Sequence, residues 1–258
     1  MRIIVLVKEV PDTYGDRKLD PETGLVDRDA TEKVLDEIGE RGIEVALAYA
    51  DSVPDTDVVA MTMAPASAST SLRKALAIGA GRAVHVVDES LRGADLGLTA
   101  EVLAAAIQRE GYDLVITGNI STDGTGGVMP AMLAELLEVP QLTALTAVEI
   151  SDGGVAGTRA TDAGTMRVSA PLPAVISVTE ALPDARFPNF KGIMAAKKKP
   201  YEMVSAVDLG VDADDLGVPR AILLSVTERP PRTGGVKIVD EGDAGERLAE
   251  FLVQNRLV

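Results

Sequence analysis

The chain has 258 residues, with 25 Lys or Arg against 40 Asp or Glu and a net charge of −15. That balance excludes a general nucleic-acid surface, which needs positive charge facing the phosphates. With no Cys and one His, His85, it has no disulfide, no thiolate site, no His cluster for metal and at most one catalytic imidazole. It also has no Trp, only four Tyr and three Phe, too few aromatics for a base-stacking surface.

Met1 to Lys8 carries an apolar run too short for a secretory signal, and no run approaches the ~20 residues of a membrane helix. The chain is expected to be soluble and cytoplasmic, with no membrane insertion. Ile3 to Val7 reads as a buried strand. A polar loop follows from Pro11 to about Thr31, then helical spacing at Ile43, Ala46, Leu47 and Ala50. Asp57 to Met63 is the next strand, Ser67 to Ile78 a helix stopped at Gly79, and Ala83 to Val87 a strand. Leu98 to Arg109 is helical, Asp113 to Thr117 a strand, and Gly124 to Glu138 a helix ended by Pro140. This alternation predicts an α/β fold, a doubly wound, mostly parallel sheet with helices on both faces.

Beyond Pro140 the spacing changes. Leu142 to Ile150, Val155 to Ala160 and Met166 to Ser169 form a small antiparallel extension around Gly-containing turns, and Ala174 to Val178 returns as a buried strand. The expected organisation is a nucleotide-binding α/β domain over 1–182 and a Pro-rich, basic partner-recognition segment over 183–200. An extended C-terminal arm over 201–258, with one amphipathic helix near Gly245 to Gln254, is expected to pack on a partner subunit.

Gly118-Asn119-Ile120-Ser121-Thr122-Asp123-Gly124-Thr125-Gly126-Gly127-Val128-Met129-Pro130 lies between a buried strand and a helix. Small residues there let backbone N–H groups approach a phosphate at the C-terminal edge of a parallel sheet. It is neither a Walker A loop nor a G-x-G-x-x-G fingerprint, and a plain turn with Asp123 as the N-cap fits the same residues. His85, inside a β-run, reads as a satisfied core or edge histidine rather than a catalytic one. Asp212, Asp214 and Asp215 read as a solvated loop rather than metal ligands. Lys197-Lys198-Lys199 reads either as a solvated helix end or as a basic dock, with Phe187 and Phe190 beside it as interface anchors or core.

The chain resembles the beta subunits of electron transfer flavoproteins over nearly its whole length. The resemblance is carried by Ile3 to Lys8 with Val10-Pro11-Asp12, by Thr23 to Asp29, by Leu72 to Ala80 and by the Thr122 to Thr125 loop. Leu172 to Thr179, Arg229 to Gly235 and, most specifically, Lys191-Gly192-Ile193-Met194-Ala195-Ala196-Lys197-Lys198-Lys199 complete it. It implies the adenine-nucleotide hydrolase-like version of the doubly wound sheet. It also implies an electron carrier rather than an enzyme, with no catalytic side chains. The protein would form a heterodimer with an alpha subunit that holds most of the redox FAD, and would bind AMP structurally. AMP would touch Leu6, the Asp36 to Gly39 segment, Met63 and Gly118 to Met129, including Asn119, Thr122, Asp123, Gly124, Thr125, Gly126, Gly127 and Val128.

The resemblance further implies that Phe190, Ile193, Met194, Lys197, Lys198 and Lys199 meet flavin dehydrogenases such as acyl-CoA dehydrogenases. Phe190 would be exposed as the anchor and Phe187 more buried. The chain reads Gly39-Glu40-Arg41-Gly42-Ile43-Glu44 where the family usually has Asp-Glu-x-Ala-Val-Glu, which leaves the start of the first helix open. Its phosphate loop differs in spacing from that of electron-bifurcating relatives, which favours AMP over a second FAD. The alternatives are that bifurcating type, a free-standing ATP-binding stress-type regulator, and an ATP-dependent ligase. The last would need a Ser-Gly-Gly-type loop where Lys8-Glu9-Val10-Pro11 stands.

Overall fold

A computed structural model describes every residue except Asp16, Arg17, Leu216, Glu228, Arg232, Thr233 and Val236. Part of the expected Pro11 to Thr31 loop and of the Arg229 to Gly235 motif therefore lies outside the described residues. The chain divides into two compact units, Met1–Leu224 and Ser225–Val258.

In the first unit the strands are β1 (Arg2–Leu6), β2 (Glu9–Pro11), β3 (Lys33–Leu35), β4 (Asp57–Met63), β5 (Arg82–Val86) and β6 (Leu114–Gly118). They continue with β7 (Gln141–Ser151), β8 (Gly154–Thr161), β9 (Gly164–Pro171), β10 (Ala174–Val178) and β11 (Tyr201–Val204). The helices are α1 (Glu37–Ser52), α2 (Ser69–Ile78), α3 (Leu96–Glu110), α4 (Met129–Leu136) and α5 (Phe190–Ala196). The second unit holds α6 (Ala244–Gln254).

The main sheet has nine strands in the order β11-β5-β4-β1-β6-β10-β7-β8-β9. Pairing is parallel from β11 to β7 and antiparallel across β7, β8 and β9. The antiparallel part has the short turns expected around Gly153 and Gly164. It is a large, mixed, mostly parallel α/β sheet.

Burial on both faces explains why the parallel strands read as continuous apolar runs. Ile3, Val5, Ala60, Ala83, Ile116 and Ile176 point into one cluster together with α1 and α2 side chains. Ile4, Val59, Met61, Val84, Val115 and Val175 point into the other with α3 and α4. Gly39 and Gly42, which made the start of α1 hard to read, are buried inside it. A Cβ at Gly42 would stand 3.2 Å from Val5 and one at Gly39 3.4 Å from the Val7 Cα, so the glycines let α1 lie close on β1.

Three sequence expectations are corrected. The helix expected from Gly124 begins only at Met129, because each glycine costs ~1 kcal/mol in a helix interior and Pro130 suits the first turn. Asp123 is therefore not its N-cap. Tyr201–Val204, expected at the start of the extended C-terminal arm, instead pairs in parallel with Ala83 to Val86 as an edge strand of the sheet. Phe187, expected to be more buried than Phe190, is 95% exposed against 79% for Phe190.

Candidate functional site

The strand order reverses between β1 and β6, since β4 and β5 lie to one side of β1 and β6, β10 and β7 to the other. Ligands of open parallel sheets bind beyond the C-terminal strand ends at such a reversal. Leu6 and Gly118 end the two strands there, and Met63 ends β4 beside them. Leu6, Met63 and Met129 all pack against the cluster under α3 and α4. Asp36 and Gly39 approach from the α1 side, with Asp36 at the N-cap position.

Asp36 is buried, and its Oδ2 accepts from the Thr122 N–H at 2.9 Å and the Thr122 hydroxyl at 3.3 Å. Its Oδ1 is buried with no hydrogen bond among the described residues. Burial pushes its pKa up, against the hydrogen bonds that favour the ionised form. Gly118 fits beneath Ile38 only because it lacks a side chain: a Cβ would be 2.5 Å from the Ile38 Cγ2.

Asp123 has a side chain only 1% exposed, held between the Lys8 ammonium at 2.7 Å and the Arg28 guanidinium at 3.2 Å. Burial alone would raise its pKa. The Lys8 hydrogen bond and charge, Ser121 and Arg28 overcome that and hold it at about 2. Two cations thus meet the Asp123 carboxylate beside the loop, and the Asp36 carboxyl lies close enough to feel the Asp123 charge.

From Gly124 to Val128 the loop is exposed. The Thr125 N–H donates to the Ser121 carbonyl. The N–H groups of Gly126, Gly127 and Val128 make no hydrogen bond among the described residues. Thr125 at φ +50° and Gly127 at φ +66° are both left-handed, an unusual conformation for Thr, and backbone that changes hand in this way can gather successive N–H groups around an anion. A Cβ at Gly126 would meet only the Leu96 Cδ1, at 4.0 Å, so the approach to these amides is open. The open loop amides, the two cations beside them and the Asp36 oxygen fit a nucleotide, its phosphate on the amides and a hydroxyl or amino donor toward Asp36.

Lys8 and Arg28 are absent from the residues singled out in the sequence. Lys8 follows β1 at the same sheet edge as the loop, which is a usable signal. Arg28 reaches Asp123 from the long polar loop, within the Thr23 to Asp29 stretch, whose local sequence does not show which distant carboxylate it meets. His85 is fully buried, its Nε2 donating to the Ala64 carbonyl at 3.0 Å and its Nδ1 facing the Tyr201 hydroxyl at 2.7 Å. Asp212 and Asp215 accept from the nearby N–H groups of Asp214 and Gly217, and no group of three or more His, Cys, Asp or Glu is placed for a metal among the described residues.

The expected recognition residues divide. Phe190 is 79% exposed, and Ile193 and Met194 are about half exposed at 46% and 48%. Lys197 and Lys198 are exposed and pair with no acid among the described residues. Lys199 instead turns inward, donating to the carbonyls of Leu76, Gly79 and Ala80 at the end of α2, so it is not a steering charge like its neighbours. None of the described helices is long and apolar enough to cross a membrane.

The architecture and the loop define an α/β protein with a ligand-type loop at the sheet reversal. The family model of the electron transfer flavoprotein domain matches residues 23–209. The electron transfer flavoprotein subunit beta of Mycobacterium tuberculosis (strain ATCC 25618 / H37Rv) is 44% identical, covering 99% of each chain. That of Bacillus subtilis (strain 168) is 31% identical over 98% of this chain and 96% of its own. The caffeyl-CoA reductase-Etf complex subunit CarD of Acetobacterium woodii is 32% identical over 93% and 92%. The chain belongs to the electron transfer flavoprotein beta-subunit family. It is accordingly an electron transfer protein, not an enzyme with its own catalytic centre, and flavin carries the redox chemistry. Full-length membership leaves the free-standing regulator and the ligase without support.

Proposed function

We propose that this chain is the beta subunit of a heterodimer whose alpha subunit holds most of the redox FAD, and that it binds AMP as a structural nucleotide. In this reading the sheet is the adenine-nucleotide hydrolase-like form of the doubly wound fold, and the protein works in the cytoplasm. The observation that carries the nucleotide assignment is the left-handed loop at Thr125 and Gly127, with three undonated amides at Gly126, Gly127 and Val128. Lys8 and Arg28 supply positive charge on the phosphate side, and the free Oδ1 of Asp36 is an acceptor for a ribose hydroxyl or an amino group. Leu6 and Met63 supply apolar surface at the strand ends.

Flavin accepts and passes on the electrons. The chain's own task is to keep the partner's flavin environment in shape and to present Phe190, Ile193, Met194, Lys197 and Lys198 to flavin dehydrogenases that donate electrons. Apolar side chains standing exposed on one short helix beside free lysines support that docking role. The segment Ser225–Val258, whose Leu248 and Val253 are exposed on α6, is the arm that packs on the alpha subunit.

Denaturing the purified heterodimer and identifying what it releases is the direct test. One AMP and one FAD per heterodimer are expected. Two FAD and no AMP would mean the bifurcating type, a reading favoured by the similarity to a subunit of a caffeyl-CoA reductase complex. Gly126→Val, at a position open enough to fold, should lower AMP content while FAD stays bound.

A further inference from the structure

The helix α5 has seven residues, about two turns, too few to be stable alone. It does not hold itself to the sheet by its apolar side chains either. Phe190, Ile193 and Met194 stand exposed, and Ala196 is its only buried residue. Backbone and charged contacts hold it instead. At Gly192 the helix lies so close to α2 that a Cβ would be 2.6 Å from the Ala77 carbonyl oxygen. The Asn189 side chain caps the helix by accepting from the Gly192 N–H at 2.8 Å, and Arg73 of α2 donates to the Ala196 carbonyl at 3.3 Å.

Just past the helix, Lys199 sends its ammonium into the end of α2. There it donates to Leu76 at 2.8 Å, Gly79 at 3.2 Å and Ala80 at 2.6 Å. The last carbonyls of a helix lack partners within it and carry the negative end of its dipole, so one cation with three donors satisfies them together. On the other side, Arg186 grips Glu44 and Asp51 of α1.

The geometry points to Lys199 as a positioning residue. By closing the carbonyl end of α2 it fixes the pose of α5, so that Phe190, Ile193 and Met194 form a preformed apolar face for the donor flavoprotein. This rests on the docking role given above. A preformed face lowers the entropy lost on association, so its loss appears in affinity rather than in the electron-transfer step. The three consecutive lysines therefore divide their work: Lys197 and Lys198 face solvent, and Lys199 serves the fold of the docking segment. Partial burial pushes the Lys199 pKa down, while its three carbonyl acceptors take the ammonium's donors.

The test uses the heterodimer co-expressed with its alpha partner, carrying Lys199→Met, Gly192→Ala or the control Lys198→Met. The measurements are amide hydrogen exchange over residues 190–196 and steady-state transfer from a reduced donor dehydrogenase. Lys199→Met is expected to speed exchange in α5 about tenfold and to raise KM for the donor about fivefold or more. Its kcat and FAD content should stay within about twofold of wild type, with an unchanged salt dependence. Gly192→Ala, which pushes α5 off Ala77 without touching Lys199, should behave alike and covers the case in which Lys199→Met does not assemble. Lys198→Met should leave exchange unchanged and weaken the salt dependence.

Wild-type exchange in both α5 variants overturns the clamp. Faster exchange with a wild-type KM overturns the positioning role. If Phe190→Ala also transfers at the wild-type rate, it is the docking role itself that has failed.

Discussion

The hydroxyl of Tyr201 lies 2.7 Å from the Nδ1 of His85, joining β11, the edge strand of the sheet, to β5 beside it. Because Nε2–H donates to the Ala64 carbonyl, Nδ1 is the acceptor and the Tyr201 hydroxyl the donor. Arg73 stacks over the Tyr201 ring, 5.2 Å from its centroid, so the same tyrosine also meets α2.

Tyr201→Phe should destabilise the protein by about 1–3 kcal/mol, because it leaves a buried imidazole nitrogen without its donor. Urea unfolding of the purified heterodimer measures it. A change under about 0.3 kcal/mol would mean that the hydrogen bond is not made in solution.

Burial lowers the His85 pKa, while the Ala64 carbonyl and the Glu9 charge pull the other way. The unfolded chain, with an ordinary imidazole near 6.5, therefore binds the proton more readily. Stability from keeping His85 neutral is complete above pH ~6.5 and declines as the pH falls through the lower folded value. His85→Gln should flatten the stability slope between pH ~7 and 5, even if it lowers the plateau. An unchanged slope would assign the pH dependence to other groups.

Asp123 is the opposite partner type, a carboxylate held at about 2. Its contribution is present above the ordinary carboxylate value of ~4 and is lost as the pH falls from there through about 2. Asp123→Asn should cost about 1–3 kcal/mol at neutral pH, since hydrogen bonds to charged groups are at stake and Lys8 keeps some access to water. It should also remove that acid-range loss. Acid titration of wild type and variant by circular dichroism compares them, and parallel curves would count against the Lys8–Asp123–Arg28 arrangement.

Both exposed phenylalanines should tolerate truncation, at ~0.5 kcal/mol or less each. Phe190→Ala should slow transfer from a donor dehydrogenase severalfold to thirtyfold, the range of an interface anchor. FAD and AMP content should stay intact. Phe187 stands as open as Phe190, so Phe187→Ala should leave melting unchanged. A drop of several degrees would place Phe187 back in the core.

The residues Ser225–Val258 should exchange their amides quickly in the isolated chain and slowly in the heterodimer, whereas Tyr201–Val204 should be protected in both. The second unit begins 24 residues after the expected start of the arm at Tyr201, and β11 lies in between. β11 is only four residues long and carries Glu202 and an exposed Met203, so nothing in its composition separates it from the polar tail that follows.

The strands β4 and β10 were legible residue for residue, because a strand buried on both faces is mostly apolar and is bounded by polar or Pro residues. Gly118 to Met129 was legible as a strand-to-helix loop of small residues at the sheet's C-terminal edge, because such residues leave a physical trace in composition. The local sequence also marked α6 and the β7–β8–β9 turns.

Tertiary structure decided the rest. Asp123 is ionised deep in the loop only because Lys8 and Arg28 arrive from 115 and 95 residues away. Lys199 was one of three like lysines until α2, some 120 residues earlier, offered it three carbonyls. Phe187 has the composition of a core residue and the position of a surface one. Short-range spacing records which face of a strand or helix is apolar. Which charge meets which distant partner depends on how the sheet brings its edges together, and that is set only once the chain has packed.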